Sequence, residues 1–347
     1  MMTARDILQS ARLWVKKHNK AYQTKVAREI ENYRTVENVH DLPAIFHYWS
    51  NKYLVPMYQQ VGFNSARDFF RTYLEQMCRR ASEQQCRFIS IGSGNCETEI
   101  EPTDALRSAG IRNFVFECLD INPHMLDRGR SIAQQRQLSD CVHFIQADLN
   151  SWHPKCPYQI IMANQSLHHF LELEFLFEKI HQSLAQNGLF LSDDIVGRNG
   201  HMRWPEALSL LNAIWKDSPE RYKYNHQLRR LELEFDNWDC SKESFEGIRS
   251  QDILPLLIKR FGFEMFAGFA NIIDIFIDRS FGHNFDPNNR EDLEFIDEVH
   301  AIDQNHIERG LIKPTHMTAA MKKSKSGQPR TYKHLTPDFC VRWPDSQ

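Results

Sequence analysis

An α/β fold on a mostly parallel sheet is predicted by three observations. From Arg87 onward, short apolar runs alternate with amphipathic stretches; the first run ends in the glycine turn Gly92-Ser93-Gly94; and two apolar runs, FEMFAGF and NIIDIFIDR, follow one another late in the chain. Apolar strands separated by helical crossovers are the mark of a parallel sheet covered on both faces. The two late runs, with only Ala270 and its neighbours between them, predict an antiparallel hairpin that closes the sheet.

The elements follow in order. Residues 1–84 read as a helical N-terminal cap. Ile7, Leu8, Leu13 and Val15 recur at helical spacing among charges, and Pro43 marks a helix boundary. The aromatic stretch FHYWSNKYLVPMYQQVGF fits core packing or a pocket-lining cap. Strands are expected at 87–92, 113–118, 142–146, 158–163 and 189–192. Helices are expected at 97–110 despite Pro102, at 123–137 behind the cap Asn122, and at 172–186 with a stop at Asn187-Gly188. Residues 196–250 break the alternation and read as a helical lid insertion in a domain spanning 85–321. A helix is expected at 250–260, further helix at 287–320, and a polar C-terminal tail at 322–347.

Composition narrows the class. The chain has 347 residues with a net charge of −3, which gives no reason to expect a nucleic-acid binder. No apolar run reaches the roughly 18 residues a membrane span needs, and no apolar leader core is visible. The eight cysteines include no C-x-x-C pair, and several lie in apolar runs, where a thiol acts as a small hydrophobe. A reduced, cytoplasmic protein without a structural metal is expected. His283 and Asp286 in FGHNFD have no supporting ligand spacing.

The chemistry starts at the first strand's end. Glycines there let a ligand approach the backbone, and parallel sheets bind ligands where strand order reverses. Asp120, closing the second strand, suits a pair of ribose hydroxyls, and Asp148, after the third, suits an adenine amino group with Leu149 against the ring. Glu97, Glu99 and Glu101 crowd the helix start where a dinucleotide would place its pyrophosphate, and Glu97 occupies the place of a third glycine. Carboxylates there favour a cationic, phosphate-free adenosine cofactor over a nicotinamide one.

From Phe88 to about Arg279 the sequence resembles the class I S-adenosylmethionine-dependent methyltransferase family, carried by SIGSGNC, FECLDINPHML, QADLN, MANQSLHHF and NGLFLSDD. The resemblance implies a Rossmann-like sheet with an antiparallel last strand and S-adenosylmethionine as cofactor. Gly92, Ser93 and Gly94 would approach the cofactor, Asp120 would hold its ribose, and Ile121, Met125, Asp148 and Leu149 would surround its adenine. Asn164, Gln165 and Ser166 would face its methionine part. Ser90 and Cys96 stand where the family has an acidic residue and a glycine, and Glu97 is a candidate substitute. HYWSNKYLVPM and GRNGHMRWPEA resemble bacterial methyltransferases of small molecules or glycan units.

Methyl transfer needs alignment, exclusion of water and, for a hydroxyl acceptor, removal of a proton. His201 and His168, beyond the fifth and fourth strands, are the catalytic candidates. His169, Arg198, Arg203 and Trp204 are the substrate-binding candidates, the arginines suiting an acceptor carboxylate or phosphate. O-methylation of a small molecule or sugar is the leading expectation. N-methylation, a non-catalytic cofactor-binding scaffold and an NAD(P)-dependent oxidoreductase are the alternatives.

Overall fold

Each predicted strand of the first half forms, and each ends at the same edge of one sheet. The computed structural model describes residues 20–34, 41–82, 84–154 and 156–343; the expected periodicity from Ile7 to Val15 lies outside them. The chain opens with α1 (Lys20–Asn32), α2 (Ala44–Trp49), a π-helical turn (Ser50–Leu54), α3 (Val55–Gln60) and α4 (Ala66–Ala81). Pro43 directly precedes α2, and Ser65 caps α4 by accepting from the Asp68 amide. Phe69, Phe70, Tyr73 and Leu74 of α4 are buried in the cluster that covers one sheet face. Fully burying side chains of this size contributes roughly 1.5–3 kcal/mol each.

The alternating region follows: β1 (Cys86–Ile91), α5 (Glu97–Ser108), β2 (Phe114–Asp120), α6 (Pro123–Gln135), β3 (Val142–Gln146), β4 (Tyr158–Asn164), α7 (Leu173–Ser183) and β5 (Leu184–Ile195). Asn122 caps α6 through the amides of His124 and Met125. Residues of β1 and β4 alternate between two cores. Ile89, Ile91 and Ile161 face one, while Phe88, Ile160 and Met162 face the other. This is the double burial that a parallel sheet requires.

The insertion holds α8 (Pro205–Asp217) and a two-residue ribbon of β6 (Tyr224–Asn225) and β7 (Arg230–Leu231), with short turns elsewhere. After it come α9 (Ser250–Arg260), β8 (Gly262–Phe269), α10 (Ile273–Ile277), α11 (Arg290–Glu308), β9 (His316–Lys322), β10 (Arg330–Thr331) and α12 (Pro337–Cys340). The main sheet runs β10-β8-β9-β5-β4-β1-β2-β3. Only β9 is antiparallel to its neighbours, β5 and β8. Strand order reverses between β1 and β4, so the ligand crevice lies above their carboxyl ends.

Three local expectations change. The expected hairpin does not form, because NIIDIFID is a helix start and not a second strand. Ile272, Ile273, Phe276 and Ile277 bury at helical spacing, and Asp303 accepts from the amides of Asn271 and Ile272 at the mouth of α10. The antiparallel strand is instead HMTAAMK, which overlaps the end of the stretch expected to be helical. α7 ends at Ser183, whose hydroxyl bonds back to Lys179 O, and Asn187-Gly188 lies in β5 next to a register shift. The segment expected as a tail pairs β10 with β8 and buries Leu335, Cys340 and Val341.

Candidate active site

Gly92 and Gly94 follow β1 with φ of 68° and 53°, a left-handed backbone that glycine adopts without strain. A Cβ on Gly92 would lie 2.6 Å from the Ser166 Cβ, so the turn presents bare backbone beside β4's end. Asp120 is buried. Its Oδ2 accepts from the Gly94 amide at 2.8 Å and its Oδ1 from the Asn122 amide at 2.8 Å. One carboxylate thus fixes both the glycine turn and the start of α6, and burial pushes its carboxyl above the ordinary range.

Ser90 donates to Glu99 Oε1 at 2.6 Å, and Glu99 is 2% exposed with its Oε2 buried and lacking a hydrogen-bond partner among the described residues. Position 90, where the family has an acidic residue, thus carries a hydroxyl bonded to a carboxylate from the first turns of α5. Glu97 and Glu99 line the cavity, whereas Glu101 pairs with Arg67. Cys96, standing where the family has a glycine, holds a φ of 62° and is fully buried.

Burial pushes the Glu99 carboxyl up from 4.5 to about 7, despite the Ser90 hydroxyl that lowers it. The folded protein binds this proton more tightly than the unfolded chain does. Its contribution to stability is therefore full below the unfolded carboxylate range and is lost as pH rises through about 7. The loss is on the order of 3 kcal/mol. Glu99→Gln is expected to flatten the fall of Tm between pH 5 and 8, checked by scanning calorimetry; equal slopes for both proteins would show that Glu99 is not the source.

Asp148 accepts from the Tyr22 hydroxyl at 2.9 Å and from the Asn150 amide. Asn122 Nδ2 donates to Ile30 O, and the Arg128 guanidinium bonds to Asn95 Oδ1, Tyr33 O and Arg34 O. Lys25 reaches Ser241 O and Ser244 O. Helix α1 therefore roofs the crevice, tied at one side to the loops after β2 and β3 and at the other to the insertion.

At the end of β5 two adjacent buried aspartates divide the work. Asp193 accepts from Gln165 Nε2, Tyr58 Oη and Thr318 Oγ1, which holds Gln165 in a backbone of φ 50°. Asp194 accepts four hydrogen bonds, from the amides of Ser166, Leu167 and Ile195 and from His168 Nδ1 at 2.6 Å. Fixing the Nδ1 proton of His168 turns its Nε2 toward Glu246.

Glu246 is the residue that the sequence reading missed. Its Oε1 lies 3.3 Å from His168 Nε2 and 2.6 Å from His201 Nε2, and its Oε2 lies 3.5 Å from His169 Nε2. Backbone bonds join the three segments: Gly200 N donates to Gly247 O and Ile248 N to His168 O. A Cβ on Gly247 would meet Gly200 N at 2.9 Å, so the two loops close on each other only because that side chain is absent. His201 itself sits at φ 57°, a backbone cost that the surrounding loops sustain. Burial alone would lower the His168 pKa; Asp194 and Glu246 outweigh it and push it up to about 10. Burial would raise the Glu246 carboxyl, yet the three histidines hold it well below its usual range.

One cavity of about 1470 Å³ joins these parts. Among its lining residues are Gly92, Ser93, Gly94, Glu97, Asp120, Ile121, Met125, Asp148, Leu149, Asn164, Gln165 and Ser166, together with His168, His169, His201 and Arg203. Three of the substrate-binding candidates are engaged within the protein. Arg198 and Trp204 are absent from the lining; Arg198 stacks on the Trp204 ring and bonds to Arg203 O, and Arg342 covers that ring as well. Arg203 is 3% exposed and committed to Asp274 and His201 O, so it braces the His201 loop instead of waiting for an anion.

A family model described as a methyltransferase domain matches residues 82–259, just over half of the chain. The chain belongs to that family. It is a class I methyltransferase whose cofactor is S-adenosylmethionine, as the sequence resemblance implied. No curated protein matches it. Among solved structures, geranyl diphosphate C-methyltransferase from Streptomyces coelicolor A3(2), in complex with Mg2+, geranyl diphosphate and S-adenosyl-L-homocysteine, is 11% identical. That likeness covers 86% of this chain and 98% of the other, with a TM-score of 0.44. The O-methyltransferase of a trans-AT PKS multienzyme of Brevibacillus brevis is 12% identical over 88% of each chain, with a TM-score of 0.42. A SAM-dependent methyltransferase from Thiobacillus denitrificans is 12% identical, covering 82% of this chain and all of that one, with a TM-score of 0.40.

Among the described residues, no helix is long and apolar enough to cross a membrane.

Proposed function

We propose that this methyltransferase transfers a methyl group to an oxygen of a small molecule or glycan unit held beneath α1 and the insertion. The observation that carries this reading is the single cavity running from the glycine turn to the histidine–Glu246 cluster. Pockets for one ligand typically hold about 300–1,000 Å³, so about 1470 Å³ has room for a cofactor and an acceptor together.

The residues present fit S-adenosylmethionine. Bare backbone at Gly92 and Gly94 admits close approach, and the unpartnered Glu99 Oε2 is a site for an ammonium group. When bound, the cofactor supplies a methyl carbon on a sulfonium, with neutral sulfur as the leaving group. Asp120 would hold the ribose hydroxyls. Ile121, Met125 and Leu149 would enclose the adenine, and Asp148 would accept from its amino group while sharing Oδ2 with Tyr22. Asn164, Gln165 and Ser166 would line the methionine side, Gln165 being positioned by Asp193. Helix α1 and the insertion exclude water, and His168, His201 and Glu246 activate the acceptor oxygen, with His169 beside them.

Calorimetry is expected to show S-adenosylhomocysteine binding with one site and no heat from NADH. Binding of NADH without S-adenosylhomocysteine would reverse the assignment in favour of an oxidoreductase. Transfer of a labelled methyl group into an extract of small metabolites tests catalysis, and a product labelled at nitrogen would replace the oxygen reading with N-methylation.

A further inference from the structure

We propose that His168, His201 and Glu246 form a binding site for one divalent transition-metal ion, which ligates the acceptor's oxygen. This deepens the reading above and rests on it for the acceptor; the metal site itself stands on the donor geometry.

The three donor atoms, two imidazole nitrogens and one carboxylate oxygen, lie within 4.8 Å of one another. An ion held at about 2.0–2.2 Å from each donor needs them roughly 3–3.5 Å apart. His168 Nε2 and Glu246 Oε1 stand at 3.3 Å, inside that window. His201 Nε2 and the same oxygen stand at 2.6 Å, so His201 or the carboxylate withdraws by about half an ångström to admit an ion. Both rings reach from short turns after a strand, and Glu246 reaches from a loop of the insertion, so a side-chain rotation supplies that displacement.

Three further features mark a built site. Asp194, fully buried, accepts from His168 Nδ1, which leaves Nε2 as the ligating nitrogen. A carboxylate behind a ligating histidine is the usual outer support of a metal centre. The three segments, far apart in sequence, are joined by Gly200 N to Gly247 O and Ile248 N to His168 O, so the donors converge through the backbone and not by chance of long side chains. All three line the same cavity as the glycine turn, which leaves coordination positions open on the acceptor side. A plain ion pair needs one imidazole for one carboxylate, whereas two imidazoles point at the same Glu246 oxygen.

The donor set of two nitrogens and one oxygen suits Zn2+, Fe2+, Co2+ or Mn2+ more than Ca2+, which prefers oxygen ligands throughout. An ion there would take a hydroxyl or carboxylate oxygen of the acceptor as a further ligand. It would stabilise the negative charge left on a hydroxyl oxygen when its proton departs to solvent.

The test is a Co2+ titration of the chelator-treated 347-residue chain, followed by visible absorption and calorimetry, with S-adenosylhomocysteine binding measured on the same sample. One equivalent of Co2+ is expected, with d–d bands displaced by Zn2+. Glu246→Gln and His201→Ala are expected to weaken Co2+ binding by at least about 100-fold, and Asp194→Asn by about 10–100-fold. A folded sample that binds S-adenosylhomocysteine but gives neither bands nor heat with Co2+ and Zn2+ overturns the metal site and leaves the methyltransferase reading intact. Stoichiometric binding that survives both Glu246→Gln and His201→Ala also overturns it, by placing the ion elsewhere. Loss of S-adenosylhomocysteine binding with intact Co2+ bands strikes the proposed cofactor contacts instead, while supporting the ion.

Discussion

His201→Ala is expected to lower methyl transfer by ~10²–10⁴-fold, the span over which a positioned activating group acts, with S-adenosylhomocysteine affinity changed by less than about threefold. The reason is placement. His201 Nε2 bonds to Glu246 and not to the groups expected to hold ribose or adenine. Glu246→Gln should fall in the same range, because a neutral amide neither balances the facing imidazoles nor ligates an ion as a carboxylate does. The double variant should be little worse than either single one, since both remove the same unit. Incorporation of a tritiated methyl group and calorimetry of S-adenosylhomocysteine, run on the same preparations, separate the two effects. Turnover within about threefold of the wild type in both variants would remove the cluster from the reaction and leave alignment alone.

Asp120→Ala is expected to weaken S-adenosylhomocysteine binding by ~10²–10⁴-fold. Two hydrogen bonds to a charged group contribute about 1.5–3 kcal/mol each, and each 1.4 kcal/mol is tenfold in affinity. The structure adds a second cause. The same carboxylate holds the Gly94 and Asn122 amides, so its loss also loosens the turn and the first turn of α6. Asp120→Asn keeps the shape and one acceptor oxygen, and should fall between wild type and alanine. Comparison of the two by calorimetry, with Tm as a check on folding, divides the ribose effect from the loop effect. An unchanged dissociation constant in Asp120→Ala would place the ribose elsewhere.

Much of this site was legible because its signals are local. Gly92-Ser93-Gly94, Asp120 and Asp148 each lie at or just past the end of a strand, and a strand's carboxyl end is where such a sheet offers its crevice. Asn122 and Pro123 announced α6 by capping chemistry alone. The histidine cluster was only half legible. His168 and His201 stood out as histidines after strands, but Glu246 is one glutamate among many in a charged insertion. Its selection depends on Gly200 meeting Gly247. Arg198 and Trp204 misled for the complementary reason: a dense polar and aromatic cluster looks the same in sequence whether it faces a cavity or stacks on itself.

The same division runs through the fold. Local chain chemistry determined the alternating strands and helices from β1 to β5, the glycine turn, and the carboxylates beside it, because periodicity and capping act over a few residues. Tertiary structure decided that HMTAAMK is the antiparallel strand and that NIIDIFID begins a helix. Short apolar runs fit either state, and the slot between β5 and β8, with Asp303 waiting at the start of α10, made the choice. It also decided that Glu99 reaches the Ser90 hydroxyl, and that His168, His201 and Glu246 converge from distant segments. Those outcomes depend on which surfaces meet, and contacts between residues far apart in the chain leave no periodic trace in it.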